Sequence, residues 1–303
     1  MRIRPALKGR NKILDHNFIS QGCPFGARVK RGARVGWIVH WGLNRDPFVE
    51  RGGPYVPVPG HEEAVARLVH TIEAGHRLAV LSAPAGMGKT LVLGRALAEA
   101  RDPCRRFAMT SNPMEGGHLY SRLAEKLGSR GLGSANRGAA WIALEQAVRG
   151  CAVQGFQVVL AVDDCASLIA VGAGDDLRRL EQIGASAGGR VTVLLVWGEE
   201  SHEGGLSFQS WTLAVGLRSL SCSEAETYLT AKLAAAGCRE AIFSQRAVTR
   251  LHVHSRGSPS GLDRLASLCL MAGAYRGLEA ISSEVVEGVL GECHQPTEHA
   301  LRG

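Results

Sequence analysis

Short, largely apolar runs alternate with amphipathic stretches through the middle of the chain. The runs predict buried strands at 77–81, 106–109, 158–162 and 191–196. Around them, apolar residues recur at helical spacing and predict helices at 61–75, 89–100, 117–127, 139–150 and 175–185. Continuously apolar strands that alternate with helices are typical of a parallel sheet with helices on both faces. We therefore predict an α/β domain.

The pattern becomes purely helical after about Leu220. Ser223-Glu224-Ala225-Glu226 resembles a capping box, which would begin a helix that Gly237 ends. Three further helices are predicted to begin at Ser244, at Ser258-Pro259 and at Ser282/Ser283. We predict an arm at 1–40, the α/β domain at 41–217, a small all-helical lid domain at 218–292 and a tail at 293–303.

The most specific motif lies between the first predicted strand and the helix after it. It is Ala83-Pro84-Ala85-Gly86-Met87-Gly88-Lys89-Thr90-Leu91, the A-x-x-x-x-G-K-T form of the phosphate-binding loop. Gly86 and Gly88 permit tight turns that aim backbone N–H groups at a phosphate, and the following helix adds the positive end of its dipole. Lys89 would neutralise the β- and γ-phosphates, and the Thr90 hydroxyl would ligate Mg²⁺. The motif predicts ATP and Mg²⁺ binding; a chance Gly-rich turn is the less favoured alternative.

A buried strand further along the chain ends in two acidic residues. Val158 to Val162 is continuously apolar, and Asp163-Asp164 follows directly. A carboxylate at the end of such a strand is the usual second partner of the Mg²⁺ in phosphate-loop proteins. We therefore predict Asp163 as the metal partner that acts with Thr90. Asp164 has the alternative role of capping the next helix.

The net charge of +7 is unevenly distributed. Nine of the 35 Lys and Arg residues and one of the 28 acidic residues lie in 1–40, so this arm carries +8 and the rest of the chain −1. A basic arm can bind nucleic acid or anionic lipid. However, the arm has no periodic apolar face, which favours a disordered extension or a start assigned too far upstream. The neutral body does not favour nucleic acid as the main partner.

Cysteine usage and hydropathy indicate a protein of the reducing cytoplasm. The eight cysteines are scattered without a C-x-x-C pair, which argues against a disulfide framework or a structural zinc site. No stretch approaches 18 consecutive apolar residues, so no transmembrane segment is expected. The arm has no apolar core of the secretory signal type.

Beyond the motifs, the chain resembles the ATPase domain of the ExeA-like family (general secretion pathway protein A) within the Orc/Cdc6-like AAA+ group, from about residue 41 to 290. The resemblance is carried by Trp41-Gly42-Leu43, Asp46-Pro47-Phe48, His61-Glu62-Glu63-Ala64, the phosphate loop, Asp163-Asp164, and segments within 220–237 and 255–265. It implies an AAA+ P-loop fold with a helical lid, and an ATPase in which Lys89 and Asp164 are catalytic. Asp164 occupies the position at which the family has a Glu that polarises the attacking water.

Several positions depart from the family pattern. Trp197-Gly198, followed by Glu199, stands where a polar sensor residue is usual. The segment 208–211 has no arginine for a neighbour's γ-phosphate, and Ser260 replaces the second sensor arginine; Arg264, one helical turn later, is the residue that could partly substitute. An arginine that stabilises transition-state charge can contribute about 10³-fold or more in rate. The resemblance therefore implies slow hydrolysis with intact binding.

Three functions remain open from the sequence. The favoured one is a slow ATPase switch that acts on an unidentified protein partner, with a homo-oligomer as a further option. The second is a DNA-associated ATPase of the transposition-helper type. The third is a nucleotide-binding module with little hydrolysis.

Overall fold

The computed structural model has a parallel five-stranded sheet, as the apolar runs predict. It describes residues 31–49, 55–111, 116–130, 136–165, 168, 174–198 and 213–294. The strands are β1 (Leu78–Ser82), β2 (Arg105–Ser111), β3 (Gln157–Asp163), β4 (Val191–Trp197) and β5 (Leu213–Gly216). Their order is β2-β3-β4-β1-β5, and every pair is parallel. The phosphate loop therefore follows a central strand, and it shares the carboxyl edge of the sheet with the acidic end of β3.

Helices cover both faces of this sheet. The helices of this part are α2 (Pro59–Ala74), α3 (Lys89–Glu99), α4 (Gly116–Lys126), α5 (Arg137–Val153) and α6 (Gly174–Ala187). On one face, α2 and α3 pack in a core with the alternate strand residues Ala79 and Leu81. On the other face, α4, α5 and α6 pack with Leu78 and Val80. β3 and β4 are buried on both faces, which explains why their sequences are continuously apolar.

A helical part follows the sheet and has a core of its own. It consists of α7 (Cys222–Ala235), α8 (Gln245–Ser255), α9 (Pro259–Tyr275) and α10 (Ser283–His294). Its buried residues form a separate cluster that includes Leu229, Leu251 and Leu262. This part matches the predicted helical lid domain in type and position.

The first described helix, α1 (Arg31–His40), corrects the expected start of the fold. We expected the folded body to begin at Trp41, but Trp37 is also buried in the core of the helical part, where it is 7% exposed. His40 adds a hydrogen bond from its ring to the Leu278 carbonyl at 2.7 Å. The end of the basic arm is therefore part of the fold; residues 1–30 lie outside the described residues.

Two local features also differ from the sequence interpretation. The cap of α7 is Ser221 with Glu224, because the Ser221 side chain accepts from the Glu224 N–H and the Glu224 carboxylate accepts from the Ser221 N–H. The capping box predicted at Ser223 therefore lies two residues earlier. Strand β5 was not predicted; it is only four residues long and has a single buried position.

The described residues contain neither a membrane-spanning helix nor a cluster of metal ligands. No helix in the described part of the chain is long and apolar enough to cross a membrane. Among the same residues there is no group of three or more His, Cys, Asp or Glu side chains placed to hold a metal ion. The six cysteines whose side chains are described are free thiols: Cys104, Cys151, Cys165, Cys222, Cys238 and Cys269.

Candidate nucleotide-binding site

The phosphate loop connects β1 to α3, as its sequence predicts. Gly86 and Gly88 have φ values of +78° and +87°, a region that side chains with a Cβ rarely adopt. Gly88 is the N-cap of α3, and Lys89 and Thr90 form its first turn. The loop thus ends at a helix N-terminus, where unpaired backbone N–H groups and the helix dipole favour an anion.

The Lys89 ammonium reaches back from the start of α3 to the first two residues of the loop. Its Nζ donates to the carbonyl oxygens of Ala83 at 2.7 Å and Pro84 at 2.9 Å. Lys89 is half-buried, whereas Pro84, Ala85 and Gly86 are exposed. The positive charge is therefore held inside the turn, next to a backbone that is open to a ligand.

Thr90 and Asp163 are brought together across 73 residues of sequence. The Thr90 hydroxyl donates to Asp163 Oδ2 at 2.7 Å, and the backbone N–H of Asp164 donates to Asp163 Oδ1 at 3.0 Å. Asp163 is 5% exposed at the end of β3. A hydroxyl and a carboxylate oxygen this close form a hard oxygen donor pair of the kind that Mg²⁺ prefers. The structure therefore unites the two residues predicted to hold the metal.

Asp164 has an unusual backbone conformation. Its φ is +58°, in the left-handed region, and the residue is exposed. The residues on either side fix this geometry, since Asp163 accepts the Asp164 N–H and Cys165 donates its N–H to the Val196 carbonyl at 2.8 Å. A non-glycine residue here costs about 1 kcal/mol or more, and such strain clusters at functional positions.

The helical part contacts the phosphate loop directly through the first turn of α9. The Gly86 carbonyl accepts from the Ser260 backbone N–H at 3.1 Å and from the Ser258 hydroxyl at 3.3 Å. A Cβ on Gly86 would lie 2.9 Å from Ser258 Oγ, so this glycine is required for space as well as for φ. Arg264 lies one turn further along α9 and is exposed; it makes no contact with the loop that would assign it a role.

A second contact to the loop comes from α2, and the sequence analysis gave it no role. His61 is 5% exposed, and its Nε2 lies 3.0 Å from the Met87 carbonyl. Burial lowers the pKa of the His61 imidazole, so at neutral pH the ring is neutral and donates its Nε2 proton to that carbonyl. Sequence spacing alone cannot reveal this contact, because it depends on the packing of α2 against the loop.

The remaining predicted positions are Met87, Leu91, Trp197, Glu199 and the segment 208–211. Met87 is buried, and Leu91, in the first turn of α3, is 52% exposed. Trp197 is the buried last residue of β4. Glu199 and the segment 208–211 lie outside the described residues.

Comparison with protein families supports the interpretation of the loop. Residues 72–203 match the family model of an AAA domain. This range contains the phosphate loop, Asp163 and Asp164. A comparison with curated protein sequences gives no match.

Solved structures extend the similarity beyond that range. The chain is similar to the DNA complex of Orc1 from Aeropyrum pernix (16% identity, TM-score 0.62, covering 82% of this chain and 68% of that one). It is also similar to Drosophila ORC bound to DNA (14%, 0.65, 94% and 72%) and to Cdc6p from Pyrobaculum aerophilum (18%, 0.61, 81% and 70%). At these identities the likeness establishes the fold alone: the chain has the AAA+ P-loop fold with a helical C-terminal part.

Proposed function

We propose that this protein is an ATPase that binds ATP with Mg²⁺ and hydrolyses it slowly to switch the conformation of its helical part. The observation that carries the proposal is the 2.7 Å contact between Thr90 Oγ1 and Asp163 Oδ2 at the end of a phosphate loop. The AAA domain match over residues 72–203 supports the same interpretation. A general Gly-rich turn would not need a buried carboxylate beside its threonine.

The donor set of the site fits ATP and Mg²⁺. Residues 83–91 provide the phosphate-binding backbone, and Lys89 provides a compact positive charge. Thr90 and Asp163 would hold the metal, which would supply positive charge to stabilise the phosphates. The left-handed Gly86 and Gly88 form a cradle that no other residue type fits without strain.

The residues of the chain divide the work of hydrolysis between them. Lys89 would exchange its bonds to the Ala83 and Pro84 carbonyls for phosphate oxygens. Asp164, fixed by its neighbours, would orient the attacking water and accept its proton. Asp is one methylene shorter than the Glu usual at this position, and a misplacement of roughly 1 Å can cost on the order of 10²-fold in rate. We therefore expect slow turnover with clear nucleotide affinity.

The contact between α9 and Gly86 would carry the signal to the helical part. Any movement of the loop on nucleotide binding alters the two hydrogen bonds that Gly86 accepts from Ser258 and Ser260. Movement of α9 towards the loop would also bring the positive charge of Arg264, on the same helix, closer to the phosphates. The helical part would then present a different surface to a partner protein. A second copy of the chain is the alternative partner.

The test measures turnover and movement separately. Steady-state phosphate release reports hydrolysis, and hydrogen exchange at the Ser260 amide reports the contact with Gly86 in the presence of ATPγS or ADP. We expect slow release, and exchange at Ser260 that differs between the two nucleotides. Equal exchange in both states would contradict the switch, and binding without any release would leave only the nucleotide-binding module.

A DNA-associated ATPase is the second candidate function. Two of the similar structures are complexes with DNA, and residues 1–40 of this chain carry a charge of +8. Retention of the full chain on duplex DNA, measured against salt, tests this candidate, because phosphate contacts give a steep salt dependence. Retention that is lost below physiological salt would argue against it.

A further inference from the structure

A groove lies at the β2 edge of the sheet. β3 and β4 separate this edge from β1, the strand that precedes the phosphate loop. The groove has a volume of about 790 Å³ and is bounded by α3, β2 and the last residue of α4. Its middle is apolar, with half-buried side chains of Leu97, Phe107 and Met109. None of these residues belongs to the nucleotide site, so the groove has no role in the proposed function.

The backbone of β2 along this groove is directed outward. The Gln157 N–H donates to the Cys104 carbonyl at 3.0 Å, so Cys104 faces β3. Because backbone groups alternate in direction along a strand, the N–H and C=O groups of Phe107 and Met109 point away from β3. No strand among the described residues lies on that side, since β2 is the end strand of the sheet. An extended segment placed there would find donors, acceptors and apolar side chains in register.

One end of the groove is positively charged. Among the described residues, Arg101, Arg105 and Lys126 line it together with one acid, Asp102. Arg105 is held in place by bonds to Gln157 and the Ala100 carbonyl. Arg101 and Lys126 are exposed, and neither forms an ion pair with any residue in the described ranges. α3 and α4 both run back along the sheet, so their last residues lie at the amino end of β2.

We propose that the edge of β2 is a docking site for an extended, acidic segment of a partner protein, which adds to the sheet as a sixth strand. Its apolar side chains would lie on Phe107 and Met109, and its acidic residues would meet Arg101 and Lys126. Antiparallel addition is favoured because antiparallel ladders are slightly more stable per residue. The segment would then end, at its carboxyl side, next to the three bases.

The charge and shape of the groove favour this occupant over two others. A second copy of this chain, paired antiparallel through the same edge, would place its own bases at the opposite end of the ladder, so Arg101 and Lys126 would gain no acidic partner from it. Nucleic acid would use the bases but not the apolar middle or the outward backbone groups. An acidic extended peptide uses all three features.

The test uses the full chain and a fluorescein-labelled peptide, Val-Thr-Leu-Thr-Val-Glu-Glu-Glu. Fluorescence anisotropy should give saturable binding, and the same peptide ending in three lysines should not bind. The Arg101→Glu/Lys126→Glu protein should bind about tenfold or more weakly, because two exposed charge pairs are lost and replaced by repulsion. The matched control, Arg239→Glu/Arg276→Glu, changes two exposed bases of the helical part and should bind normally.

Amide hydrogen exchange then tests the mode of binding. Addition of the peptide should slow exchange at Phe107 and Met109 and leave Ala108, which faces β3, unchanged. Met109→Pro removes one outward N–H without touching the bonds to β3 and should weaken binding about fivefold. Absence of peptide binding, equal binding by the charge-reversed protein, or unchanged exchange at Phe107 and Met109 would overturn the proposal. So would a dimer of the chain that Met109→Pro dissociates, because the edge would then belong to a second copy.

Discussion

Replacing Trp37 by Ala should destabilise the protein strongly, although this residue lies in the arm that the sequence pattern assigns to disorder. Trp37 is 7% exposed and lies in the same core as Trp41, whose indole N–H donates to the Leu270 carbonyl at 2.8 Å. Truncation of a buried Trp to Ala typically costs about 3–5 kcal/mol. Because α1 lies at the edge of this core and can relax, we expect a loss of about 3 kcal/mol.

The assay is urea unfolding followed by far-UV circular dichroism, with Val39→Ala as the matched control. Val39 is on the same helix but 69% exposed, so its truncation should change the free energy of unfolding by no more than about 0.5 kcal/mol. A chain that starts at Trp41 should be destabilised as much as Trp37→Ala. If Trp37→Ala unfolds at the same urea concentration as Val39→Ala, helix α1 does not stabilise the protein.

Three further predictions concern the site and the connection to the helical part. Asp164→Glu should raise kcat by up to about 10²-fold at unchanged ATP affinity, because it restores the reach of the carboxylate; no gain would place the slow step elsewhere. Gly86→Ala should lower the melting temperature and ATP affinity through about 1–2 kcal/mol of strain at φ +78°, whereas Gly94→Ala, in an open helical position, should not. The hydrogen bond from Arg218 is the main cause that lowers the pKa of Glu224 from 4.5 to about 2. The ionised Glu224 therefore stabilises the folded state fully above pH 4.5, and this stabilisation is lost as the pH falls towards 2. The difference in melting temperature between the native protein and Glu224→Gln should shrink over that range, and a constant difference would contradict it.

The sequence predicted the elements that have strong local signals. Strands buried on both faces, such as β3 and β4, are recognisable because most of their residues are apolar. The short edge strand β5 was missed because only Val215 is buried in it. Helix α1 was not predicted because it is stabilised by the packing of Trp37 in the core of the helical part. No apolar periodicity in the sequence indicates that contact. The lack of a periodic apolar face, together with the basic charge, made the segment of α1 resemble a disordered arm.

The same division holds for the candidate site. Thr90 and Asp163 were placed together correctly because two motifs at the carboxyl ends of parallel strands must meet. The contacts of His61 and Ser258 with the loop were not foreseen, since they depend on how α2 and α9 pack. The left-handed backbone of Asp164 could not be predicted either, because no residue type or spacing in the sequence indicates a positive φ at an Asp.

The most direct test of nucleotide binding is the ATP affinity of Lys89→Ala, measured by calorimetry with Mg²⁺ present. The variant should melt near the temperature of the native protein, because Lys89 is only half-buried and one of its two loop bonds is to the exposed Pro84. Its affinity should fall roughly 10–100-fold, the equivalent of about 1.5–3 kcal/mol for a charge-assisted hydrogen bond. Lys126→Ala, which removes a positive charge outside the site, should bind as the native protein does. Unchanged ATP affinity in a folded Lys89→Ala protein would contradict the assignment of residues 83–91 as the phosphate-binding loop.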